Sequence, residues 1–198
     1  MIMLGLQTGS EKLRTTILHR YETNFQAKYI GRICNEIGLK FSIDHIFDIP
    51  FDTPDNLLES LKIYNEIRPS MINTYRLLYL PSTDIVEIAK RAGLITNTMY
   101  CKILEGKYSE TIKAPYERNY HKFHIMYTIL PLLPKKVMFT FINNPKLLLI
   151  TIMIPFQVQQ IIKTILYVRI GSSYVISERI NHFFELITNP IRKIGSRS

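Results

Sequence analysis

The chain has 198 residues, of which 46% are hydrophobic, and it carries a formal net charge of +9. Its two cysteines, Cys34 and Cys101, form no Cys-x-x-Cys pair, which argues against a disulfide scaffold and favours a reducing, cytoplasmic compartment. The longest apolar run, residues 147–156, has about half of the roughly 20 residues that a membrane-spanning helix needs.

The first predicted element is a short apolar strand, residues 1–6, which runs directly into the sequence GLQTGSE at residues 5–11. Ser10 can cap a helix and is followed by an acidic residue, so we predict a helix to about His19. Gln7 offers donors and an acceptor that suit a vicinal diol such as a ribose. An ordinary strand-to-helix turn explains the same residues without a ligand.

A second helix is predicted to begin after Thr23, because Thr23 and Gln26 have the spacing of a capping box. Gly38 stands where the carboxyl-terminal cap of this helix belongs. Cys34 is expected to be a small buried apolar residue within it. The larger apolar residues of the helix recur at helical spacing, at Ile30, Ile33 and Ile37.

The clearest predicted strand covers residues 41–49, where large apolar side chains alternate with a second set, Ser42, Asp44, Ile46 and Asp48. Because helices flank this strand in the sequence, we predict that the apolar set packs against them and that the second set faces the interior of a barrel. There the two aspartates either contact a substrate or serve as polar filling at the end of the barrel. His45 is expected to be a core residue, since no second ligand stands at metal spacing.

Two further elements complete a repeating pattern. Thr53 and Pro54 begin a helix whose buried stripe is formed by Leu57, Leu58, Leu61 and Tyr64. A third strand is predicted at residues 71–80, and a third helix follows it and ends at Gly93. Strands separated by single helices imply a parallel sheet with right-handed crossovers. Residues 1–95 therefore form three strand–helix units, which is half of a barrel.

The rest of the chain is predicted to be mainly helical, with a connection over residues 96–134 and a basic, apolar extension over residues 135–198. The extension has nine Lys and Arg residues against two acidic ones, whereas residues 1–134 have 16 against 14. Three interpretations stay open: a packed helical domain with a cationic exterior, helices lying on an anionic membrane surface, and nucleic-acid binding. The last is disfavoured, because the charges are dispersed and no recognition motif accompanies them.

Taken together, residues 1–95 resemble the radical S-adenosylmethionine (SAM) enzymes, and most closely the subclass with an amino-terminal cobalamin-binding domain. The resemblance rests on the order and spacing of several segments: GLQTGSE at 5–11, Arg20 with Thr23, Gly38, DHIFDIP at 44–50, Thr53, and YLPST at 79–83. In that family these segments are strands four, five and six of a six-stranded partial TIM barrel, with their helices. The extension loosely resembles the helical segment that follows the barrel.

The resemblance implies a set of SAM-binding residues. The fourth family strand contacts the ribose, which points to Gln7, Thr8 and Ser10. The fifth packs an aliphatic side chain on the adenine, which points to Ile46, and the end of the sixth also lines the adenine site, which points to Leu78 and Tyr79. Arg20 is placed near the carboxylate of SAM. Asp48 and Phe51 stand where the family usually has glycines.

The family holds a [4Fe–4S] cluster through a Cys-x-x-x-Cys-x-x-Cys loop after its first strand, and this chain has no such motif. The cluster, and cobalamin in that subclass, would therefore depend on a missing amino-terminal half as partner. We expect the chain alone to be inactive, with no catalytic residue and no metal ligand of its own, and with an unknown small-molecule substrate. The alternative is a non-catalytic protein built on a relic half barrel, peripheral to the inner face of the membrane.

Overall fold

A computed structural model of the protein describes residues 2–107, 117–147 and 156–170. Within these ranges the elements follow in this order: β1 (Ile2–Gln7), α1 (Glu11–Thr16), α2 (Asn24–Glu36), β2 (Phe41–Phe47), α3 (Pro54–Ile67), β3 (Met71–Arg76), α4 (Asp84–Arg91), α5 (Asn97–Leu104), α6 (Glu117–Ile129), α7 (Lys135–Asn143), a 3₁₀ turn (Pro145–Leu147) and α8 (Phe156–Ile170). The three predicted strands and the helices between them are all present.

The strands form a parallel sheet in the order β1-β2-β3. Ile2 lies opposite Phe41 in the first pair of strands, and Ser42 lies opposite Met71 in the second. All three carboxyl ends consequently lie at one edge of the sheet. The protein is thus a mixed α/β fold with a three-stranded parallel sheet, as the alternation of strands and helices predicted.

The core lies between the sheet and the helices on one of its sides. Phe41, Ile43 and Phe47 of β2 are at most 1% exposed and join a hydrophobic cluster with side chains of α2, α3, α6 and α7. Asp44 and Ile46 point the other way and are half-buried. The predicted packing of the apolar set of β2 against the helices is confirmed.

The predicted starts of α2 and α3 are confirmed by their hydrogen bonds. Thr23 and Gln26 form a complete capping box at α2, and the Thr53 side chain accepts from the backbone N–H of Asn56 at α3. Gly38 follows α2 with a φ of 69°, the left-handed conformation that favours glycine at this position.

The third strand is shorter than predicted, since β3 ends at Arg76 rather than at residue 80. Its partner strand ends at Phe47, because Asp48 takes a left-handed φ of 66° and leads the chain away from the sheet. One further bond follows, from the Leu77 N–H to the Phe47 carbonyl oxygen. Leu78 and Tyr79 therefore lie in the loop after the strand.

The side of α2 that packs against the core is not the side that carries its isoleucines. Its buried residues are the small ones, Ala27, Gly31 and Cys34. A Cβ atom on Gly31 would lie 2.5 Å from Ile67 Cγ2, so α2 approaches α3 too closely for a larger residue there. The large apolar side chains of α2 face outward.

The chain divides into two compact units, Met1–Met153 and Ile154–Ser198. In the first unit α7 packs against α3 and α6 against β3, while α4 and α5 form a smaller cluster with Tyr79. The described part of the second unit is α8. None of the helices in the described ranges is long and apolar enough to cross a membrane. Residues 148–155 and 171–198 of the predicted helical extension lie outside the described residues.

Candidate functional site

Three residues at the carboxyl edge of the sheet have an unusual backbone conformation. Gln7 ends β1 with a φ of 67°, and Asp48 and Phe51 follow β2 with φ values of 66° and 65°. Non-glycine residues rarely adopt this left-handed region, and such positions concentrate at ligand sites. In the family that the sequence resembles, glycine is usual at the positions of Asp48 and Phe51. The backbone at both residues takes the conformation that glycine adopts most easily.

Gln7 and Arg20 come together above Gly5. A Cβ atom on Gly5 would lie 3.0 Å from Gln7 Nε2 and 3.5 and 3.7 Å from the two terminal nitrogens of Arg20. Arg20 also donates from Nε and Nη2 to Glu22, and this hydrogen bond lowers the pKa of the Glu22 carboxyl. The result is a small cradle in which hydrogen-bond donors converge over a residue without a side chain.

The next two predicted SAM-binding residues, Thr8 and Ser10, are turned into the protein and are 0% and 4% exposed. Thr8 Oγ1 accepts from the Ser10 N–H at 3.2 Å and lies 3.3 Å from Ser60 Oγ of α3. Ser10 makes no side-chain cap bond at α1. These two residues are placed to hold the turn, whereas Gln7 is placed at its surface.

Arg14 is the centre of this turn, a role that no pattern in the sequence indicated. It is fully buried and donates from Nη1 to the Thr8 carbonyl oxygen at 2.5 Å and from Nη2 to Asn24 Oδ1 at 2.7 Å. Asn24 Nδ2 donates in turn to the Gly9 carbonyl oxygen. Burial lowers the pKa of the Arg14 guanidinium, and Glu11, 3.8 Å away, acts in the opposite direction. Arg14 therefore ties the turn after β1 to the start of α2.

Gly9 allows this turn to lie against α3. Its N–H donates to Ser60 Oγ at 2.7 Å, and a Cβ atom on Gly9 would lie only 2.5 Å from Ser60 Cα and 2.9 Å from Ser60 N. Those neighbours are backbone atoms of a helix, which cannot move aside as a flexible side chain does.

Replacing Gly9 with alanine is expected to lower the free energy of unfolding by about 2 kcal/mol, because α3 must shift to admit the methyl group. Urea unfolding followed by circular dichroism measures the effect. Gly5→Ala is the control, since its nearest neighbour is the movable Gln7 side chain. A Gly9 variant as stable as the Gly5 variant would contradict this packing.

The end of β2 carries a second polar group of residues. Asp48 and Arg76 form an ion pair of 2.6 Å, with side chains 11% and 23% exposed, and Asn73 Nδ2 donates to Asp44 Oδ1 at 2.8 Å. Both aspartates, which the sequence left open between substrate contact and polar filling, have partners on β3. Ile46 lies between them, half-buried, on the side of the sheet away from the helices.

The two predicted SAM-binding residues after β3 differ in their exposure to solvent. Leu78 is 64% exposed, whereas Tyr79 is 7% exposed and belongs to the cluster of α4 and α5. Burial raises the pKa of Tyr79 to about 12. Only Leu78 of this pair is open to contact with a ligand.

Asp52, which the sequence did not single out, lies between β2 and α3. Burial raises the pKa of its carboxyl to about 7, although the Thr53 N–H donates to Oδ1 at 3.0 Å. The negative charge of Asp48 acts in the same direction as burial. The one signal in the sequence for Asp52 is its position directly before the cap of α3. Caps of this kind are too common to indicate a functional site.

His45 is a core residue, as predicted. It is 0% exposed, its Nδ1 lies 2.9 Å from Tyr64 Oη, and its ring centroid is 4.4 Å from that of Tyr127. Nε2 has no hydrogen-bond partner among the described residues. Burial lowers the pKa of His45 to about 3, so the imidazole is neutral at physiological pH.

A [4Fe–4S] cluster does not fit the residues present. Three thiolates are needed, and the chain has two cysteines, of which Cys34 is buried in the core and Cys101 is exposed on α5. Within the described ranges no group of three His, Cys, Asp or Glu residues could hold a metal ion. Among the histidines described, His124 contacts Thr74 of β3, with 2.8 Å between Nδ1 and Thr74 Oγ1.

Comparisons of the chain with protein-family models, with curated proteins and with solved structures find no match in any of the three.

Proposed function

We propose that this chain binds S-adenosylmethionine at the carboxyl end of β1 and acts as the SAM-orienting half of a radical SAM enzyme. The observation that carries the proposal is the convergence of Gln7 and Arg20 over Gly5. The resemblance of the sequence to that family independently assigns Gln7 to the ribose and Arg20 to the carboxylate.

The chemistry of the cradle suits the ligand. Arg20 offers a charged donor to a carboxylate, and such charge-assisted bonds are stronger than neutral ones. Gln7 offers donors and an acceptor to the ribose hydroxyls. The absence of a side chain at Gly5 lets the ligand approach the backbone of β1. Ile46, on the neighbouring strand, supplies an apolar contact for the adenine, with exposed Leu78 beyond it.

The roles of the six predicted residues divide accordingly. Gln7, Ile46 and Leu78 are proposed to contact SAM. Thr8, Ser10 and Tyr79 support those contacts from within the fold, since their side chains are buried. The [4Fe–4S] cluster, and cobalamin where it is used, would belong to another polypeptide segment, because this chain lacks the thiolates. The chain's own residues bind and orient SAM and supply no proton or electron.

Binding of SAM to the purified chain, measured by isothermal titration calorimetry, tests the proposal. Arg20→Ala is expected to weaken binding about tenfold or more, because a charged hydrogen bond is lost, and Gln7→Ala about threefold to tenfold. Arg32→Ala is the matched control, since Arg32 is a solvent-exposed arginine of α2.

Fragments of the ligand separate the two contacts. Adenosine binding should respond to Gln7→Ala but not to Arg20→Ala, and methionine binding should show the reverse. The proposal is wrong if the chain does not bind SAM, or if Arg20→Ala and Arg32→Ala have equal effects.

A further inference from the structure

The end of β1 departs from the regular pairing of the sheet. Leu4 lies opposite Ile43 of β2, but Gln7, three positions later, lies opposite His45, which is only two positions after Ile43. A strand with one extra residue against its neighbour contains a β-bulge, which changes the direction of a side chain and is common beside active sites. Here the extra residue lies between Leu4 and Gln7, the first predicted contact to the ligand.

A tight turn centred on Gln7 follows directly. The Thr8 N–H donates to the Leu6 carbonyl oxygen at 2.8 Å, and Gln7 between them has a φ of 67°. A hydrogen bond from one residue to the second residue before it, with a positive φ at the central residue, defines the rare and strained form of the γ-turn. A residue other than glycine keeps this conformation only where the surrounding structure holds it.

Ser60 of α3 provides that support. Its Oγ accepts from the Gly9 N–H at 2.7 Å and lies 3.3 Å from Thr8 Oγ1, so it contacts both residues that follow Gln7. The same hydroxyl donates to the Asn56 carbonyl oxygen at 2.9 Å, which leaves its lone pairs for Gly9. Ser60 is 0% exposed, so water does not readily replace these bonds. One hydroxyl group thus ties the γ-turn to α3.

The two donors of the cradle are held in different ways. Gln7 Nε2 lies 3.0 Å from the point where a Cβ atom on Gly5 would lie, and the backbone of Gln7 depends on the γ-turn. Arg20 is held by its ion pair with Glu22, 2.5 Å away. Loss of the Ser60 hydroxyl should therefore displace the Gln7 end of the cradle and leave the Arg20 end in place.

We propose that Ser60 is a positioning residue for the candidate site, because it holds the γ-turn that places the Gln7 carboxamide over Gly5. Ser60 itself is buried and contacts no ligand. The inference rests on the proposed function in one respect: the ligand group that depends on the position of Gln7 is the ribose of SAM. The γ-turn and its anchor belong to the chain without a ligand.

Amide hydrogen exchange, measured by NMR on the full chain without ligand, tests the anchor. Ser60→Ala leaves the Gly9 N–H without its acceptor, so the amides of Thr8 and Gly9 are expected to exchange about tenfold faster or more, while those of β2 change much less. Thr128→Ala is the matched control, because Thr128 is a 2% exposed hydroxyl residue that also donates to the carbonyl oxygen four positions earlier. Unchanged exchange at Thr8 and Gly9, or the same acceleration in β2, would overturn the inference.

Two substitutions at Gln7 test the strain itself and do not depend on the folding of the Ser60 variant. Glycine adopts a φ of 67° without strain, whereas alanine does not. Gln7→Gly is therefore expected to unfold at a higher urea concentration than Gln7→Ala. The same pair of substitutions at Met3 is the control, since Met3 lies in the regularly paired part of β1, where glycine weakens a strand and the order should be reversed. A Gln7→Gly variant less stable than Gln7→Ala would contradict the γ-turn.

Calorimetry with adenosine and with methionine tests whether Ser60 acts through Gln7. Ser60→Ala is expected to weaken adenosine binding about threefold to tenfold, as Gln7→Ala does, and to leave methionine binding unchanged. In the double variant the two losses should not add, because both act through one side chain. Additive losses, or equal losses for adenosine and methionine, would show that Ser60 does not position Gln7.

The two proposals fail in different ways. If the wild-type chain binds no adenosine but its Thr8 and Gly9 amides respond to Ser60→Ala, the proposed function is wrong and the anchor of the γ-turn stands. If adenosine binds and those amides do not respond, the role of Ser60 is wrong and the proposed function stands.

Discussion

Replacing Arg14 with alanine is expected to destabilise the protein by about 3 kcal/mol. The substitution leaves the Thr8 carbonyl oxygen and Asn24 Oδ1 without the donors that they now have at 2.5 and 2.7 Å. Because Arg14 is fully buried, water does not readily replace those bonds. The turn after β1 and the start of α2 lose their common anchor.

Arg20→Ala is the matched control, since Arg20 belongs to the same connection but its side chain is 36% exposed. An exposed ion pair contributes about 0–1 kcal/mol. Urea unfolding of the two variants should therefore separate them clearly, while SAM binding should respond mainly to Arg20. Equal destabilisation by the two substitutions would show that the Arg14 bonds do not hold the turn.

The fold was predictable where local chemistry decides it. The alternation in residues 41–49 gave the orientation of β2, and Thr23 and Thr53 gave the helix starts, because these signals lie within a few residues of each other. The end of β3 was not predictable in this way. It depends on the left-handed Asp48 of the neighbouring strand, 28 positions from Arg76.

The same distinction between local and distant signals applies to the residues of the candidate site. Gln7 was identified because its position at a strand end and its side-chain chemistry are both local. Arg14 was missed because its partners are brought together only by the turn. The contact between Gly9 and Ser60 was not predictable, because the two residues are 51 positions apart in the sequence. The outward face of α2 was likewise hidden, since only the close approach to Ile67 shows why small residues face inward.

The stability of the protein is expected to depend on pH through buried His45 and half-buried Asp52, which act in opposite directions. His45 has an ordinary pKa of 6.5 that burial lowers to about 3. Its neutral form is favoured by folding, so its contribution to stability is lost as the pH falls below 6.5. Asp52 has an ordinary pKa of 3.8 that burial raises to about 7. Its protonated form is favoured by folding, so stability is lost as the pH rises from 3.8 towards 7.

Between pH 4.5 and 6 these two contributions nearly cancel, because unfolding takes up a proton at His45 and releases one at Asp52. Each group alone changes the free energy of unfolding by about 1.4 kcal/mol per pH unit. Relative to the wild type, Asp52→Asn should therefore lose stability on acidification with about that slope. His45→Gln should gain stability on acidification with the same slope and the opposite sign.

Urea unfolding of the three proteins at several pH values in this window measures both slopes. Other carboxyl groups titrate in all three proteins, so the difference between each variant and the wild type is the informative quantity. A flat difference for Asp52→Asn would show that the carboxyl is solvated and ionises normally. A flat difference for His45→Gln would show that the imidazole becomes protonated within the folded core, which its position between Tyr64 and Tyr127 disfavours.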